Sequence, residues 1–186
     1  MNGREIVVGV TGGIAAYKTA VLVSQLVQAG AGVSVVMTAS AGEFIGRATF
    51  EALTGRRVYS QVFHEAEHPL GSHIALAERG ELLVVAPATA NFLAKAAGGM
   101  ADDLLSTLVL SFSGPLVIAP AMNCQMWEKP AVQRNVDQLR GDGATIVDPE
   151  EGWLSCRTSG VGRMASPETI RATIEKQLAS RPPRTL

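Results

Sequence analysis

The sequence predicts an α/β protein: a single-domain, open parallel sheet with helices on both faces, of Rossmann-like or flavodoxin-like type. Three observations carry that expectation. Apolar runs such as 6–10 and 82–86 are short and unbroken, as in strands buried on both faces. Between them lie segments with apolar residues at helical spacing, and strands alternating with helices mean a parallel sheet joined by right-handed crossovers. The turns after the strands are short and rich in glycine, serine and threonine, at the edge where open sheets hold ligands.

Residues 6–10 form the first strand. A helix follows over 14–29, with Tyr17, Val21, Leu22 and Leu26 in period and Gly30 as its stop. The second strand is 33–37 and the second helix 41–53. The interval 55–72, with mixed polarity, Pro69 and two histidines, predicts a short strand plus loop. A strand at 82–86 precedes helices near 91–97 and 102–112. Then come a strand at 116–119, a helix over about 125–140 and a strand at 144–147. Residues 152–164 read as a glycine-rich loop and 167–178 as the last helix. Residues 1–179 are expected to form one domain and 180–186 a disordered tail.

An apolar share of 47 %, 18 % charged residues and a net charge of −1 suit a soluble domain and leave no basic surface for nucleic acid. No stretch approaches the ~20 apolar residues that span a bilayer, and the N-terminus passes straight into a strand without a signal segment. A cytoplasmic location is therefore expected. Cys124 and Cys156 make no disulfide framework. His64, His68 and His73 lack the spacing and cysteine partners of a zinc site, so no metal is expected. A mean hydropathy of +0.19 is high for a lone monomer and is compatible with an oligomer.

Chemistry-bearing residues gather in the strand-to-helix turns. Gly12 and Gly13 follow the first strand, and backbone amides at a helix N-terminus favour an anion such as phosphate. The turn matches neither G-x-G-x-x-G nor the P-loop, and two glycines also suit a tight turn alone. Lys18, one turn on, fits either a solvated surface or a site. Thr38 and Ser40 follow the second strand, where Ser40 also suits plain N-capping. Ala86-Pro-Ala-Thr-Ala-Asn91 makes a third such turn. Together the three suggest a phosphorylated, largely neutral cofactor. Asp102 and Asp103 mainly complement a helix dipole, with Ser106 and Thr107 one turn later. His73 suits acid–base work. Pro120-Ala-Met-Asn-Cys-Gln-Met-Trp127 places the Asn123 amide beside soft apolar side chains, although Asn123 also fits a simple helix cap. Cys156 sits beside Arg157, whose charge would favour a thiolate, in a stretch that Gly160 and Gly162 make suited to a closing flap.

These residues together resemble the flavin-containing cysteine decarboxylase family, over nearly the whole chain. The carriers are Thr11-Gly-Gly-Ile-Ala-Ala16, Ser72-His-Ile74, Ala86-Pro-Ala-Thr-Ala-Asn91, Gly98-Gly-Met-Ala-Asp-Asp-Leu-Leu105 and the Pro-x-Met-Asn-x-x-Met-Trp pattern ending at Trp127. The resemblance implies FMN, bound by Gly12, Gly13, Ile14, Thr38, Ser40, Thr89, Ala90, Asn91, Ser106 and Ala121. It implies His73 as catalytic base, Asn123 with Met122 on the substrate carboxylate, Lys18 as a further substrate residue, and Cys156 as the proton donor of a final reduction. It also implies a homo-oligomer, trimer or dodecamer, with the flavin at subunit contacts. The likeness is greatest to the coenzyme A branch. There the cysteinyl thiol of 4′-phosphopantothenoylcysteine is oxidised to a thioaldehyde, CO2 leaves, and the product is re-reduced to 4′-phosphopantetheine. Alternatives are a peptidyl-cysteine decarboxylase of lantibiotic type, a flavin prenyltransferase, or a flavin-binding regulatory subunit. Two departures stand out. Arg157 replaces the glycine that usually follows the flap cysteine, which strains the backbone if that position has positive φ, and Phe92 replaces a threonine after Asn91.

Overall fold

The computed structural model describes residues 1–62, 71–155 and 157–182. Its main sheet is parallel and runs β3-β2-β1-β4-β5-β6. The strands are β1 (Glu5–Val10), β2 (Gly32–Met37), β3 (Val58–Tyr59), β4 (Leu82–Ala88), β5 (Leu116–Pro120) and β6 (Thr145–Ile146). From β1 the chain winds outward through β2 to β3, then crosses back to lay β4 on the other side of β1, with Ile6 opposite Leu82 and Val8 opposite Val84. The direction of winding reverses between β1 and β4, which opens a crevice at their carboxyl ends. This is the predicted fold class.

Helices α1 (Ala16–Gln28), α2 (Arg47–Thr54) and α8 (Pro167–Ala179) cover one face. Leu22, Leu26, Phe50, Ile170 and Ile174 pack there on Ile6, Val8, Val10 and Val35. Helices α3 (Ser72–Arg79), α4 (Ala90–Ala97), α5 (Leu104–Ser111) and α7 (Pro130–Gly141) cover the other, with Leu76, Leu93, Leu105, Leu108 and Val136 on Val7, Val36, Leu83 and Val85. Alternate residues of one strand thus enter two different cores, which is why the runs are unbroken. Gly9 lets α5 sit close, since a Cβ there would stand 2.5 Å from Leu105 Cδ1. At the amino edge Arg4 pairs with Glu81 and donates to the carbonyls of Leu178 and Arg181. The start of the 180–186 tail is thereby bonded to the domain, and residues 183–186 lie outside the described residues.

Four local expectations are corrected. The helix expected over 41–53 is a 3-10 turn, Ala39–Glu43, followed by α2, because Gly46 takes the extended N-cap conformation between them. The helix expected over 125–140 is two, the single turn α6 (Cys124–Trp127) and α7, since Pro130 occupies the first position of α7 where it needs no N–H donor. The sequence placed no helix between the 55–72 interval and the strand at 82–86, yet His73 lies in a two-turn helix there, α3. The glycine-rich loop expected over 152–164 is a hairpin, in which β7 (Glu150–Trp153) pairs antiparallel with β8 (Ser159–Arg163).

Candidate active site at the carboxyl edge of the sheet

The turn after β1 is held by Thr11, buried at 2 % exposure. Its N–H and its hydroxyl both donate to the Pro87 carbonyl, and its hydroxyl accepts from Thr89 N–H. One threonine therefore ties the end of β1 to the turn after β4. Gly12 lets Ser40 approach, since a Cβ would come within 2.4 Å of the Ser40 Cβ and 2.8 Å of its carbonyl oxygen. Among the described residues, the N–H groups of Gly12, Gly13, Ile14 and Ala15 have no backbone partner, and Ala15 offers α1 no side-chain cap. They lie in the turn that leads into the 13-residue helix α1, and free N–H groups there make a ready anion cradle.

These donors open into a cavity of about 430 Å³. Its floor holds Gly12, Gly13, Thr89, Ala90, Ala121 and Met122, and its walls hold Ile14, Tyr17, Lys18, Asn123, Met126, Trp153 and Arg163. Thr89 caps α4 by accepting from Phe92 N–H at 3.3 Å. Asn123 caps α6, its Oδ1 accepting from Gln125 N–H at 2.8 Å. The cap fixes which way the amide points.

The hairpin roofs the cavity. Met122 N–H donates to the Gly162 carbonyl at 2.9 Å, and a Cβ on Gly162 would lie 2.3 Å from the Met122 oxygen. Gly160 is pressed against Cys124. The glycines serve close approach rather than looseness. Lys18 Nζ donates to the Met164 carbonyl at 3.0 Å. Burial, and secondarily the nearby Arg163 charge, lower the Lys18 pKa from its ordinary value. At the hairpin base, Glu150 accepts from Ser166 N–H and pairs with Arg163 at 3.1 Å. The Ser166 bond first, and Arg163 after it, hold its carboxyl below the usual range. At the tip, Arg157 adopts φ +63, the left-handed conformation that costs a non-glycine residue about 1–2 kcal/mol.

Of the residues singled out in the sequence, the cavity gathers Gly12, Gly13, Ile14, Lys18, Thr89, Ala90, Ala121, Met122 and Asn123. Thr38, Ser40, Asn91, Ser106 and His73 lie outside its lining. Thr38 sits at the start of the 3-10 turn, Ser40 behind Gly12, and Asn91 exposed on the first turn of α4. Ser106 is buried in a capping box with Asp103, each accepting from the other's N–H, at 2.8 and 3.1 Å. Asp102 and Asp103 both pair with Lys95. Phe92 is buried in the second core. His73 is the second residue of α3, and among the described residues its buried Nδ1 has no hydrogen-bond partner. Cys156, His64 and His68 lie outside the described residues. Tyr17, Trp153 and Arg163 were missed as site residues. Tyr17 fell on a helical period and read as core, and β7 was not recognised as a strand.

The profile of the Flavoprotein family matches residues 1–179. The chain belongs to the Flavoprotein family. Among curated relatives of this Flavoprotein chain, the coenzyme A biosynthesis bifunctional protein CoaBC of Bacillus subtilis (strain 168) is 46 % identical over 179 residues, covering 96 % of this chain and 44 % of that protein. The chain thus spans less than half the length of that relative. Among solved structures, the FMN-dependent cysteine decarboxylase SpaF superposes with a TM-score of 0.84 at 38 % identity, covering 95 % of this chain and 96 % of SpaF. A Cys→Ser mutant of PPC decarboxylase complexed with pantothenoylaminoethenethiol gives a TM-score of 0.86 at 29 % identity, covering 94 % of this chain and 98 % of that one. Among the described residues no cluster of acids, histidines or cysteines could hold a metal ion, and no helix is long and apolar enough to cross a membrane.

Proposed function

We propose that this chain is a cytoplasmic FMN-dependent decarboxylase that converts 4′-phosphopantothenoylcysteine to 4′-phosphopantetheine in coenzyme A biosynthesis. The observation that carries the reading is the roofed cavity, in which orphan amides of Gly12 to Ala15 face the Asn123 cap beneath the hairpin. The names of CoaBC and of PPC decarboxylase support it. The donor set fits FMN: Gly12, Gly13 and Ile14 would hold its single phosphate, and Ala90, Ala121 and Met122 would face its uncharged ring. When bound, FMN supplies the two-electron oxidation and return reduction that such a decarboxylation needs. Asn123 donates its amide N–H to the substrate carboxylate, Lys18 supplies positive charge near the mouth, and the hairpin excludes water. His73 is the base for the substrate and Cys156 the donor of the last proton.

His73 stands outside the cavity lining of its own chain, while Ile14, Tyr17, Met126 and Trp153 leave that cavity 46–66 % exposed. Both features fit a homo-oligomer in which a second copy closes the cavity and brings its His73 to it. The test is a visible spectrum of the purified protein with mass analysis of the product. Yellow protein that releases CO2 and forms 4′-phosphopantetheine is expected. Cys156→Ser is expected to release CO2 yet stop at the enethiol. Colourless, inactive protein defeats the proposal. The likeness to the solved peptidyl-cysteine decarboxylase EpiD, with a TM-score of 0.79 at 26 % identity, favours a second reading, a peptidyl-cysteine substrate, which predicts turnover of a C-terminal cysteine peptide instead.

A further inference from the structure

The reading above gives His73 a role but leaves open what holds its ring. Gly71 precedes α3 with φ +96, in the left-handed region. A Cβ built there would lie 3.0 Å from His73 Cε1 and 3.1 Å from Nδ1, closer than ordinary contact. The Nδ1–Cε1 edge of the imidazole is therefore laid directly over the glycine Cα. Among the described residues, the buried Nδ1 has no hydrogen-bond partner. Imidazole rings are usually oriented by a hydrogen bond to the non-reacting nitrogen, and here that bond is missing. Contact with a residue that has no side chain takes its place. The half-buried ring then has Nε2 as its working nitrogen.

We propose that Gly71 is a positioning residue for His73, its missing side chain and left-handed backbone setting the imidazole so that Nε2 exchanges the proton. The proposal rests on His73 being the base. Gly71→Ala and Gly71→Asn both add the Cβ, at a backbone of φ +96 and ψ 142 that is close to glycine's alone. In both, KM is expected within about twofold of the parent while kcat falls roughly tenfold to a hundredfold, the scale of an ångström-level misplacement. Long-range nitrogen–proton NMR gives a readout independent of turnover. The chain has three histidines, and the signals lost in His73→Gln identify its ring. Those signals are expected to move in both glycine variants, with bound FMN retained in each. Unchanged kcat or unmoved ring signals in Gly71→Asn overturn the proposal, as does loss of bound FMN in step with kcat. Full turnover by His73→Gln defeats the assignment of the base itself, a different failure read in a different variant.

Discussion

Asn123 shows how one side chain serves fold and chemistry together. As the N-cap of α6 it satisfies a helix donor, and it also lines the cavity. Asp caps as well as Asn, so Asn123→Asp separates the two roles. It is expected to keep the thermal midpoint while cutting CO2 release by roughly a hundredfold or more, because an acceptor-only carboxylate replaces a donor beside the substrate anion. Equal turnover by the two proteins would remove Asn123 from the chemistry. The capping role was legible in the sequence, as was the anion cradle at Gly12 and Gly13. The contact between Ser40 and Gly12 was not, because it joins two turns that are distant in sequence and adjacent only across β1 and β2. Arg157 is the converse case: a glycine position was inferred from family resemblance, and its φ of +63 agrees with the strain expected of an arginine there.

The β7–β8 hairpin is the element on which the site depends. Gly162→Ala puts a methyl group 2.3 Å from the Met122 carbonyl oxygen, a contact the two backbones relieve only by separating. The expected result is a raised KM with the global thermal transition retained, and faster proteolysis within the hairpin. Glu150 gives the hairpin a pH dependence. Its carboxyl is held below the usual range by Ser166 N–H and Arg163, so its contribution is fully present above the unfolded carboxylate pKa of about 4.3 and lost as pH falls through the lower folded value. Acidification through that window should loosen the hairpin, and Glu150→Gln should flatten this dependence; proteolysis at stepped pH measures both. The hairpin was not legible because two glycines in sequence signal flexibility. Only the partner surface at Met122 and Cys124 shows that they serve contact.

At the scale of the molecule, the two cores flank a sheet whose winding reverses between β1 and β4, and the cavity lies at that reversal. Phe50, fully buried on the α2 face, supports the sheet from far behind the site, and Phe50→Ala should cost about 3–5 kcal/mol in thermal or urea unfolding. That the cavity lining includes Asn123 but not His73 makes a sharper prediction about assembly. His73→Gln and Asn123→Ala, each inactive alone, should regain partial activity when co-expressed, since a mixed oligomer contains cavities with both parental residues. No recovery would mean that each chain assembles its own site.

The sequence by itself determined the fold class, the strands of the main sheet and most of the cavity floor. Those follow from local period, apolar runs and turn chemistry, which neighbouring residues carry among themselves. Tertiary structure decided that 150–163 is a docked hairpin, that Tyr17, Trp153 and Arg163 line the cavity, that Ser106 closes a helix cap, and that His73 lies outside the lining of its own chain. Each of these depends on which surfaces meet across long stretches of chain, and such meetings leave no periodic trace in the residues that make them.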